Sequence, residues 1–487
     1  MRYKILSVFA ALAAITACGD LTSINQNPNG PVDVPPPSIL PSVIQTVVGS
    51  VNGVNSLNIR GGGLWVQYYS EIQYRDEDKY IVRSGTSGGW TLYFSALEDI
   101  QRMIRKGVAS NAGNWSAVGR IMKSYTFSVM TDAMGDLPYS QALKGDTLLT
   151  PAYDTQQQIY NGMLADLAQA NTEIDVAGGA VGFATGDLMY GGDMAQWKKF
   201  ANSLRLRLAI HLSIRDATKA ATEAAAAVAG GVFTGNGDNA ELMYLATSPN
   251  RNPIYNDARG RDDYGMSKTF VDSLTSWNDP RLPVFAQPNP AGTGYQGLPN
   301  GLNDGAGTPI VNISRFGRFW REIPNAPMEL LTYSEVLFLE AEAAERGWIP
   351  GGSAAAATYY HDAIVASLEQ YGVQADTAAY LGQAKVGYNA AGATLAGHLQ
   401  QIAYQKWVSL FMQGAESWTE VRRTRIPLLV PGPNAVFGAG VPGQIPERLP
   451  YDDNEAVLNK VNLDAAVAAQ GFTQGNDITK ALWFTGR

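Results

Sequence analysis

The apolar residues of this chain recur mostly at steps of three and four, which is the spacing of one face of an α-helix. Trp115, Val118 and Met122 begin one such stripe, and Gly135 ends it. In the next stripe, Asp154 is the expected N-cap. The same spacing predicts helices over residues 115–134, 154–173, 196–214, 333–346, 354–371 and 395–414, with a shorter alanine-rich helix ending at residue 229.

Two long stretches, residues 230–327 and 427–455, lack this periodicity and are rich in Gly, Asn, Pro and Asp. Loops of this length are usually functional or disordered. The sequence has no clean 34-residue consensus, so the helix order alone suggests a repeat. We therefore predict a mostly α fold, with stacked tetratricopeptide-like helix hairpins and a loop-rich, irregular ligand face.

The first 17 residues are typical of a lipoprotein signal peptide. Arg2 and Lys4 precede an apolar run that is too short for a bilayer, which takes about 20 residues. The run ends in Ile-Thr-Ala-Cys, which resembles a bacterial lipobox and predicts a lipid anchor at Cys18; an ordinary signal with a chance cysteine is the alternative. Residues 18–41, with three consecutive prolines, predict a flexible lipid-anchored tether, and residues 42–487 a helical domain.

Composition narrows the classes of function. The net charge is −8 and no basic patch is visible, which argues against a nucleic-acid partner. Downstream of the signal, no run of 18 or more apolar residues predicts a transmembrane helix. Cys18 is the only cysteine, so its lipidation would exclude disulfides, cysteine nucleophiles and cysteine-ligated metals from the rest of the chain.

The sequence contains no strong motif of an enzyme active site, and we predict no catalytic residues. The three histidines, His211, His361 and His398, are far apart and each falls in a helical pattern. No HExxH, GxSxG, Walker A or GxGxxG motif occurs. Acidic pairs and triplets occur at residues 76–78, 262–263 and 452–453, but adjacent carboxylates are more often solvated loops or caps than a facing catalytic pair.

No metal or cofactor is predicted, and a structural calcium ion is left open. Residues 236–239 and 303–305 cluster Asn, Asp and Gly in loops, which supply the oxygen ligands that calcium prefers. Neither stretch has the full EF-hand spacing. Asx turns are the more common role of such residues.

Aromatic residues provide the more informative signal. Rings flanked by amides and carboxylates suit a carbohydrate site, because a sugar ring stacks on an aromatic face while its hydroxyls take hydrogen bonds. Core packing is the competing interpretation for any single ring, and Trp65, Tyr68 and Tyr69 have helical spacing. The candidate ligand-binding residues are Trp65, Tyr68, Tyr69, Tyr74, Tyr80 and Trp90, and in the loop-rich region Tyr255, Tyr264, Trp277 and Tyr295.

Six stretches, in order along nearly the whole chain, resemble the SusD/RagB-like outer-membrane nutrient-binding lipoproteins of Bacteroidetes-type bacteria. Each is weak alone, but their collinearity is specific. They are residues 131–139 (TDAMGDLPY), 197–207 (WKKFANSLRLR), 334–343 (SEVLFLEAEA), 405–424 (QKWVSLFMQGAESWTEVRRT), 445–449 (IPERL) and 482–484 (LWF).

The resemblance implies four tetratricopeptide-like hairpins under a loop-rich face, with no enzyme activity. It implies a partner, a SusC-like TonB-dependent barrel transporter, to which an oligosaccharide or peptide ligand is delivered. It also implies an outer-membrane location with the domain facing the cell exterior. The best matches look like scaffold residues, namely Asp136, Trp197, Asn202, Arg205 and Arg423, and no motif assigns ligand-binding positions.

Three alternatives remain open at this point. The aromatic residues could be the subsites of a secreted glycan hydrolase, which would need two facing, buried carboxylates in a cleft. The chain could be a peptide-binding member of the same family. It could also be a structural surface lipoprotein without a ligand, in which case the named aromatic residues would line no pocket.

Overall fold

The computed structural model describes residues 34–82, 89–178, 185–307 and 309–487, so the predicted signal peptide and Cys18 lie outside the described residues. The α-helices are α1 (Pro36–Asn52), α2 (Glu98–Ala109), α3 (Gly113–Met134), α4 (Gln156–Glu173), α5 (Met194–His211), α6 (Ala217–Gly230), α7 (Pro253–Gly260), α8 (Lys268–Ser276), α9 (Leu282–Phe285), α10 (Arg318–Arg321), α11 (Tyr333–Glu345), α12 (Gly352–Gln370), α13 (Thr377–Leu381), α14 (Leu395–Ser409), α15 (Gly414–Thr424), α16 (Glu455–Leu458) and α17 (Lys460–Ala469). The strands are β1 (Tyr69–Glu71), β2 (Ala240–Leu242), β3 (Tyr264–Met266) and β4 (Met328–Leu331).

Helices that follow one another in the chain pack against each other, as the predicted helix hairpins require. Helix α2 packs on α3, α3 on α4, α5 on α6, and α11 on α12. The start of α4 differs from the prediction by one residue. Thr155, not Asp154, is the N-cap, because its hydroxyl and the Gln158 side chain form a reciprocal capping box.

The predicted tether extends into helix α1, which begins before the tether was expected to end. It begins at Pro36, so residues 36–41, predicted as tether, are helical instead. A proline at the first helical position lacks only an N–H group that would be unpaired there. Burial of Ile39 and Leu40 then attaches the segment to the core.

The predicted single helix over residues 395–414 is two helices. Helix α14 ends at Ser409 and α15 begins at Gly414. Between them Met412 takes a φ of 68°, which a continuous helix does not allow. The Asn58 side chain fixes this turn by donating to the Met412 carbonyl and accepting from the Gly414 N–H group.

The loop-rich region contains more regular structure than its composition suggests. Helices α7 to α10 and strands β2 and β3 fall within residues 230–327, whereas residues 425–454, all described, contain no helix or strand. Strand β1 pairs antiparallel with β3, with Glu71 opposite Tyr264, and β2 pairs with β4. The first sheet therefore joins the aromatic-rich segment to the loop-rich region. No described helix is long and apolar enough to cross a membrane.

A buried network of charges joins the helices α3, α5, α11, α14 and α15. Arg423 pairs with Glu342 and Glu420, each at 2.7 Å, and Lys406 lies 2.6 Å from Glu420. A second group is built on Arg207, which lies 2.6 Å from Glu335. All six side chains are almost fully buried, so each charge depends on its partner.

His211 extends this network from α5. Its ring nitrogens lie 3.1 Å from Asp132 and 2.9 Å from Glu416. Although burial alone would lower it, the two carboxylates raise the pKa of His211 to about 10. The histidine is therefore a charged structural residue at neutral pH.

The scaffold residues implied by the resemblance have structural contacts. The Trp197 indole donates to Asp187 at 2.7 Å, Arg205 pairs with Glu223 at 2.6 Å, and Asp136 accepts from the Gln156 N–H group at 2.8 Å. The Asn202 amide donates to the carbonyls of residues 230 and 231, which end α6. With Arg423 in the charge network, these side chains fix helix ends and helix pairs.

We expect Arg423→Ala to lower the free energy of unfolding by about 3–5 kcal/mol, because it leaves Glu342 and Glu420 buried with fewer partners. Denaturant unfolding monitored by circular dichroism measures the change. The matched control is Arg318→Ala, which removes an exposed pair with Glu322 and should cost less than about 1 kcal/mol. Equal effects of the two substitutions would show that the buried network is not a stability determinant.

Candidate functional site

Most of the aromatic candidates from the sequence are core residues in the structure, and ligand binding by these rings stays a prediction. The rings of Trp65, Tyr68, Tyr69, Tyr80, Trp90 and Tyr264 are buried, and Tyr255, Trp277 and Tyr295 are half-buried. Tyr74 alone among the candidates is largely exposed, at 63%.

The buried rings pack on rings from distant helices. Trp65 meets Trp418 edge to face at 4.8 Å between centroids, and Tyr68 stacks on Trp407 at 5.6 Å. The Tyr68 hydroxyl also donates to Ser417 at 2.8 Å. These contacts join the aromatic-rich segment to α14 and α15, and they leave no free ring face for a sugar.

One cleft of about 480 Å³ collects Tyr74 and the Tyr264 edge with a set of polar side chains. This size is typical of small-molecule sites. Its lining residues are Val54, Asn55, Arg60, Glu71, Gln73, Tyr74, Asp76, Glu77, Asp257, Arg261, Asp263, Tyr264 and Asp304. We refer to it below as the Tyr74 cleft.

The β1–β3 pairing builds the floor of the Tyr74 cleft. It places Glu71 opposite Tyr264, and the ladder continues with the Ile72 N–H group donating to the Asp263 carbonyl at 2.8 Å. Immediately after, Tyr74 takes a φ of 57°, and this left-handed turn projects its ring outward. Arg261 covers part of the ring, with its guanidinium 5.1 Å from the centroid.

Asp78 attaches a third segment, residues 299–306, to this floor. Its carboxylate accepts from Asn300 at 2.6 Å, from the Gly301 N–H group at 3.1 Å and from Ser70 at 2.8 Å. Arg75 adds hydrogen bonds to the carbonyls of residues 303 and 306 at 2.7 and 2.8 Å. The cleft is therefore held by polar contacts between loops.

Burial controls the protonation of Glu71 in this cleft. Burial, with the nearby Asp78 and Glu77 carboxylates, raises the pKa of Glu71 from 4.5 to about 10, so the side chain is neutral at pH 7. Burial likewise raises the pKa of Asp78 to about 6, although its hydrogen bonds oppose the shift. Glu77 forms an ion pair with Arg60 at 3.0 Å.

The remaining candidates lie outside the Tyr74 cleft. Tyr255 packs under Arg259, whose guanidinium is 3.4 Å from the ring centroid, and Trp277 meets Tyr404 edge to face at 6.1 Å. Tyr295 is half-buried and lines none of the clefts described here. The second candidate group from the loop-rich region is thus not one site.

Trp90 lines a second cleft of about 420 Å³ together with Phe94 and Leu149. Phe94 is 81% exposed and Leu149 is 79% exposed. The walls are mainly apolar, with prolines, alanine and leucines, and Glu98, Gln141, Lys144 and Glu455 add polar side chains. Exposed apolar side chains of this size are typical of a contact surface.

In both predicted calcium loops, an aspartate carboxylate already has partners within the protein. Asp238 is 2.9 Å from Lys199 and accepts from the Thr234 N–H group, while Asp304 accepts from the Arg75 N–H group. Calcium binding itself stays an untested prediction.

Within the described ranges, three metal-ligating side chains converge at His211, Glu416 and Glu420. The structure explains this group without an ion. His211 bonds carboxylates through both nitrogens, and Lys406 already lies 2.6 Å from Glu420. A cation added among these groups would face a protonated histidine and a lysine, so the donor set does not fit a metal.

The polar residues of the cleft, chiefly Glu71, Asp257 and Arg261, are not among the residues predicted from the sequence. Asp262 and Asp263 are adjacent acidic residues with different roles. Asp262 pairs with Arg315 at 3.0 Å, whereas Asp263 lines the cleft. Asp262 takes a left-handed backbone conformation, which turns the two side chains apart. No sequence pattern predicts this conformation.

Comparisons with known proteins place the chain in a family. A family profile named SusD-like_2 and described as "Starch-binding associating with outer membrane" matches residues 28–452. Among solved structures, a chitin-binding protein is 30% identical with a TM-score of 0.79, over 92% of this chain and 99% of that one. A SusD homologue from Bacteroides fragilis is 26% identical with a TM-score of 0.78, over 93% and 100%.

A third structure, a chitin-binding SusD homologue from Flavobacterium johnsoniae, shares the fold at 24% identity and a TM-score of 0.80, over 92% of this chain and 98% of that one. No curated protein matches the sequence. The chain belongs to the SusD-like family of outer-membrane-associated, glycan-binding proteins. The predicted family and the mostly α fold are thereby confirmed.

We expect Glu71→Gln to raise the free energy of unfolding, and to raise it more at alkaline pH. Folding takes up a proton at Glu71 between pH 4.5 and about 10, so the wild-type free energy of unfolding falls as the pH rises through that window. Glutamine keeps the hydrogen bonds of the neutral acid without that proton. Its unfolding midpoint should exceed that of wild type by roughly 2–4 °C at about pH 9 and by less at about pH 5.

Differential scanning calorimetry measures both midpoints. Glu369→Gln is the control, because Glu369 lies exposed on α12 outside the cleft. A Glu71→Gln midpoint that is lower than wild type at both pH values would contradict the assignment of a buried, neutral Glu71.

Proposed function

We propose that this protein captures an oligosaccharide in the Tyr74 cleft and passes it to a SusC-type TonB-dependent transporter of the outer membrane. The observation that carries the proposal is the exposed Tyr74 ring at the mouth of a cleft lined by amides, carboxylates and guanidinium groups. An aromatic face with flanking hydrogen-bonding groups is what a sugar ring requires.

Two further features of the cleft support a polar ligand. The amides of Asn55 and Gln73 are exposed on its wall. The Arg60 Nε atom is buried and has no hydrogen-bond partner among the described residues, which is costly unless a water or ligand oxygen satisfies it. A sugar hydroxyl supplies such an acceptor.

Chitin oligosaccharides are the first ligands to test. The solved chitin-binding protein is 30% identical and is matched over almost its entire length. An N-acetylglucosamine chain offers an apolar pyranose face for Tyr74 and amide groups for Asn55 and Gln73. A peptide ligand is the competing proposal within the same family.

The proposed role is non-enzymatic. A hydrolase would need a carboxylic acid placed on the scissile bond opposite a second carboxylate. Glu71 is the protonated acid of this cleft, but its side chain is buried and hydrogen-bonded to Glu77 and the Asp78 N–H group, so it is poorly placed to protonate a leaving group. Binding without turnover is the expected behaviour.

The proposed location is the cell surface, with the chain anchored through a lipid on Cys18. Between Cys18 and the start of α1 lie 17 residues, which as an extended chain would span up to about 55–60 Å. That reach allows the helical domain to stand over a transporter while the lipid stays in the membrane.

We expect Tyr74→Asn to weaken binding of chitin hexasaccharide about 3- to 10-fold, because it removes the stacking face. Asparagine tolerates the left-handed backbone at this position, so the turn should survive. Isothermal titration calorimetry on wild type and variant measures the ratio. Tyr295→Ala is the control, as this half-buried ring lies outside the cleft and its loss should leave affinity unchanged.

An unchanged affinity of Tyr74→Asn, or an equal loss in Tyr295→Ala, would exclude the Tyr74 cleft as the glycan site. Failure of wild type to bind chitin, starch or other glycans, together with binding of peptides, would favour the peptide-binding alternative.

We also expect the affinity-tagged chain to recover a barrel transporter from detergent extracts of native outer membranes, as identified by mass spectrometry. The same extraction with Cys18→Ser should leave the chain outside the membrane fraction, because the lipid is lost. Recovery of the chain without any barrel partner, under mild detergent and at endogenous expression, would contradict delivery to a transporter.

A further inference from the structure

We propose that the Tyr74 cleft selects amino sugars with free, protonated amines, such as partly deacetylated chitin, over their fully N-acetylated forms. This inference rests on the proposed function and specifies the chemical class of its ligand. The juxtaposition behind it is an exposed aromatic ring in the same cleft as a half-buried carboxylate that forms no ion pair with any described residue.

The cleft carries an excess of negative charge. Six carboxyl groups and two guanidinium groups line it. Glu71 is neutral at pH 7 for the reason given above, so five carboxylates remain and outnumber the guanidinium groups by three. A neutral glycan gains nothing from this excess, whereas a protonated amine does.

Four of these five carboxylates have partners within the protein. Arg60 pairs with Glu77 at 3.0 Å and Arg261 with Asp263 at 2.7 Å. Asp76 lies 3.6 Å from Lys79, and Asp304 accepts from the Arg75 N–H group at 3.3 Å. The two guanidinium groups are therefore already paired with other carboxylates, and Arg261 attracts the fifth carboxylate without forming an ion pair with it.

That fifth group is Asp257, on helix α7. Within residues 34–82, 89–178, 185–307 and 309–487, its carboxylate makes no hydrogen bond and no ion pair, although it is half-buried. Asp263 and Asp262 repel its charge while Arg261 and Arg321 attract it, and burial together with the repulsion prevails and raises its pKa. A bound ammonium group would supply the missing partner.

A sugar suits the site better than another cation. The Tyr74 ring needs a flat apolar face, which a pyranose provides and a lysine side chain lacks. The exposed amides of Asn55 and Gln73 each make one hydrogen bond within the protein, to Arg60 and Asp263, and keep further groups for the hydroxyl or amide partners that recur along a glycan. An amine on the sugar ring next to the stacked face places the charge within the same cleft as Asp257.

The test is calorimetric titration of the purified full chain with glucosamine hexasaccharide and with its N-acetylated counterpart at about pH 6, where the free amines are protonated. We expect the glucosamine chain to bind about 5- to 10-fold more tightly, and this preference to shrink as sodium chloride is raised. Asp257→Asn should reduce glucosamine affinity about 5-fold and change N-acetylated affinity less than about twofold.

Two controls keep the outcome specific. Glu369→Gln removes an exposed carboxylate of α12, outside the cleft, and should alter neither affinity. Asp257→Asn should melt no lower than wild type, because it relieves repulsion among carboxylates.

Equal affinity for the two hexasaccharides, unaffected by Asp257→Asn, overturns the amine preference while leaving the proposed function intact. Binding of neither hexasaccharide to wild type overturns the proposed function itself. Pentalysine that binds as tightly as glucosamine hexasaccharide, and is equally sensitive to Asp257→Asn, overturns the assignment to a sugar.

Discussion

The helices of this protein pack around charges as well as around apolar side chains, and the rest of the structure depends on those charges being paired. Arg423 holds α11 and α15 together through Glu342 and Glu420, and Arg207 holds α5 to α11 through Glu335. A buried ion whose partner is lost is far more costly than the pair itself is stabilising. The network therefore favours one arrangement of the helix pairs over near alternatives that would separate a charge from its partner.

That fixed scaffold is what allows the opposite face to be built from loops. Tyr68 and Trp65 extend from the aromatic-rich segment into α14 and α15, so the strand that follows them, β1, begins from a rigid base. Beyond the start of β1, polar contacts hold the loops in place. The β1–β3 ladder and the Asp78 carboxylate fix the residues around the Tyr74 cleft. Binding sites are commonly formed by loops held on a rigid scaffold in this way.

The helical scaffold was largely predictable from the sequence, because its signals are local. The helix predicted over residues 115–134 is Gly113–Met134 in the structure, ended by Gly135 as expected. The errors came where distant contacts decide. Asn58 breaks the stretch predicted as one helix near Met412, and burial against α14 and α15 makes Tyr68 a core residue although its spacing fits an exposed stripe equally well.

The cleft could not be predicted for the same reason. Tyr74 and Asp257 line one cleft because two three-residue strands pair across a long stretch of chain, and strands so short carry almost no periodicity. Tyr74 was among the aromatic candidates, but nothing in the sequence separated it from the buried rings. The protonated state of Glu71 likewise depends on burial and on Asp78, which no sequence pattern records.

The most direct test of the account is a crystal structure of the protein with chitin hexasaccharide bound. The account predicts a pyranose ring stacked on Tyr74, with its polar groups directed at the amides and carboxylates of the same cleft. Density for the sugar in the apolar cleft beside Trp90 and Phe94, with the Tyr74 cleft empty, would contradict it.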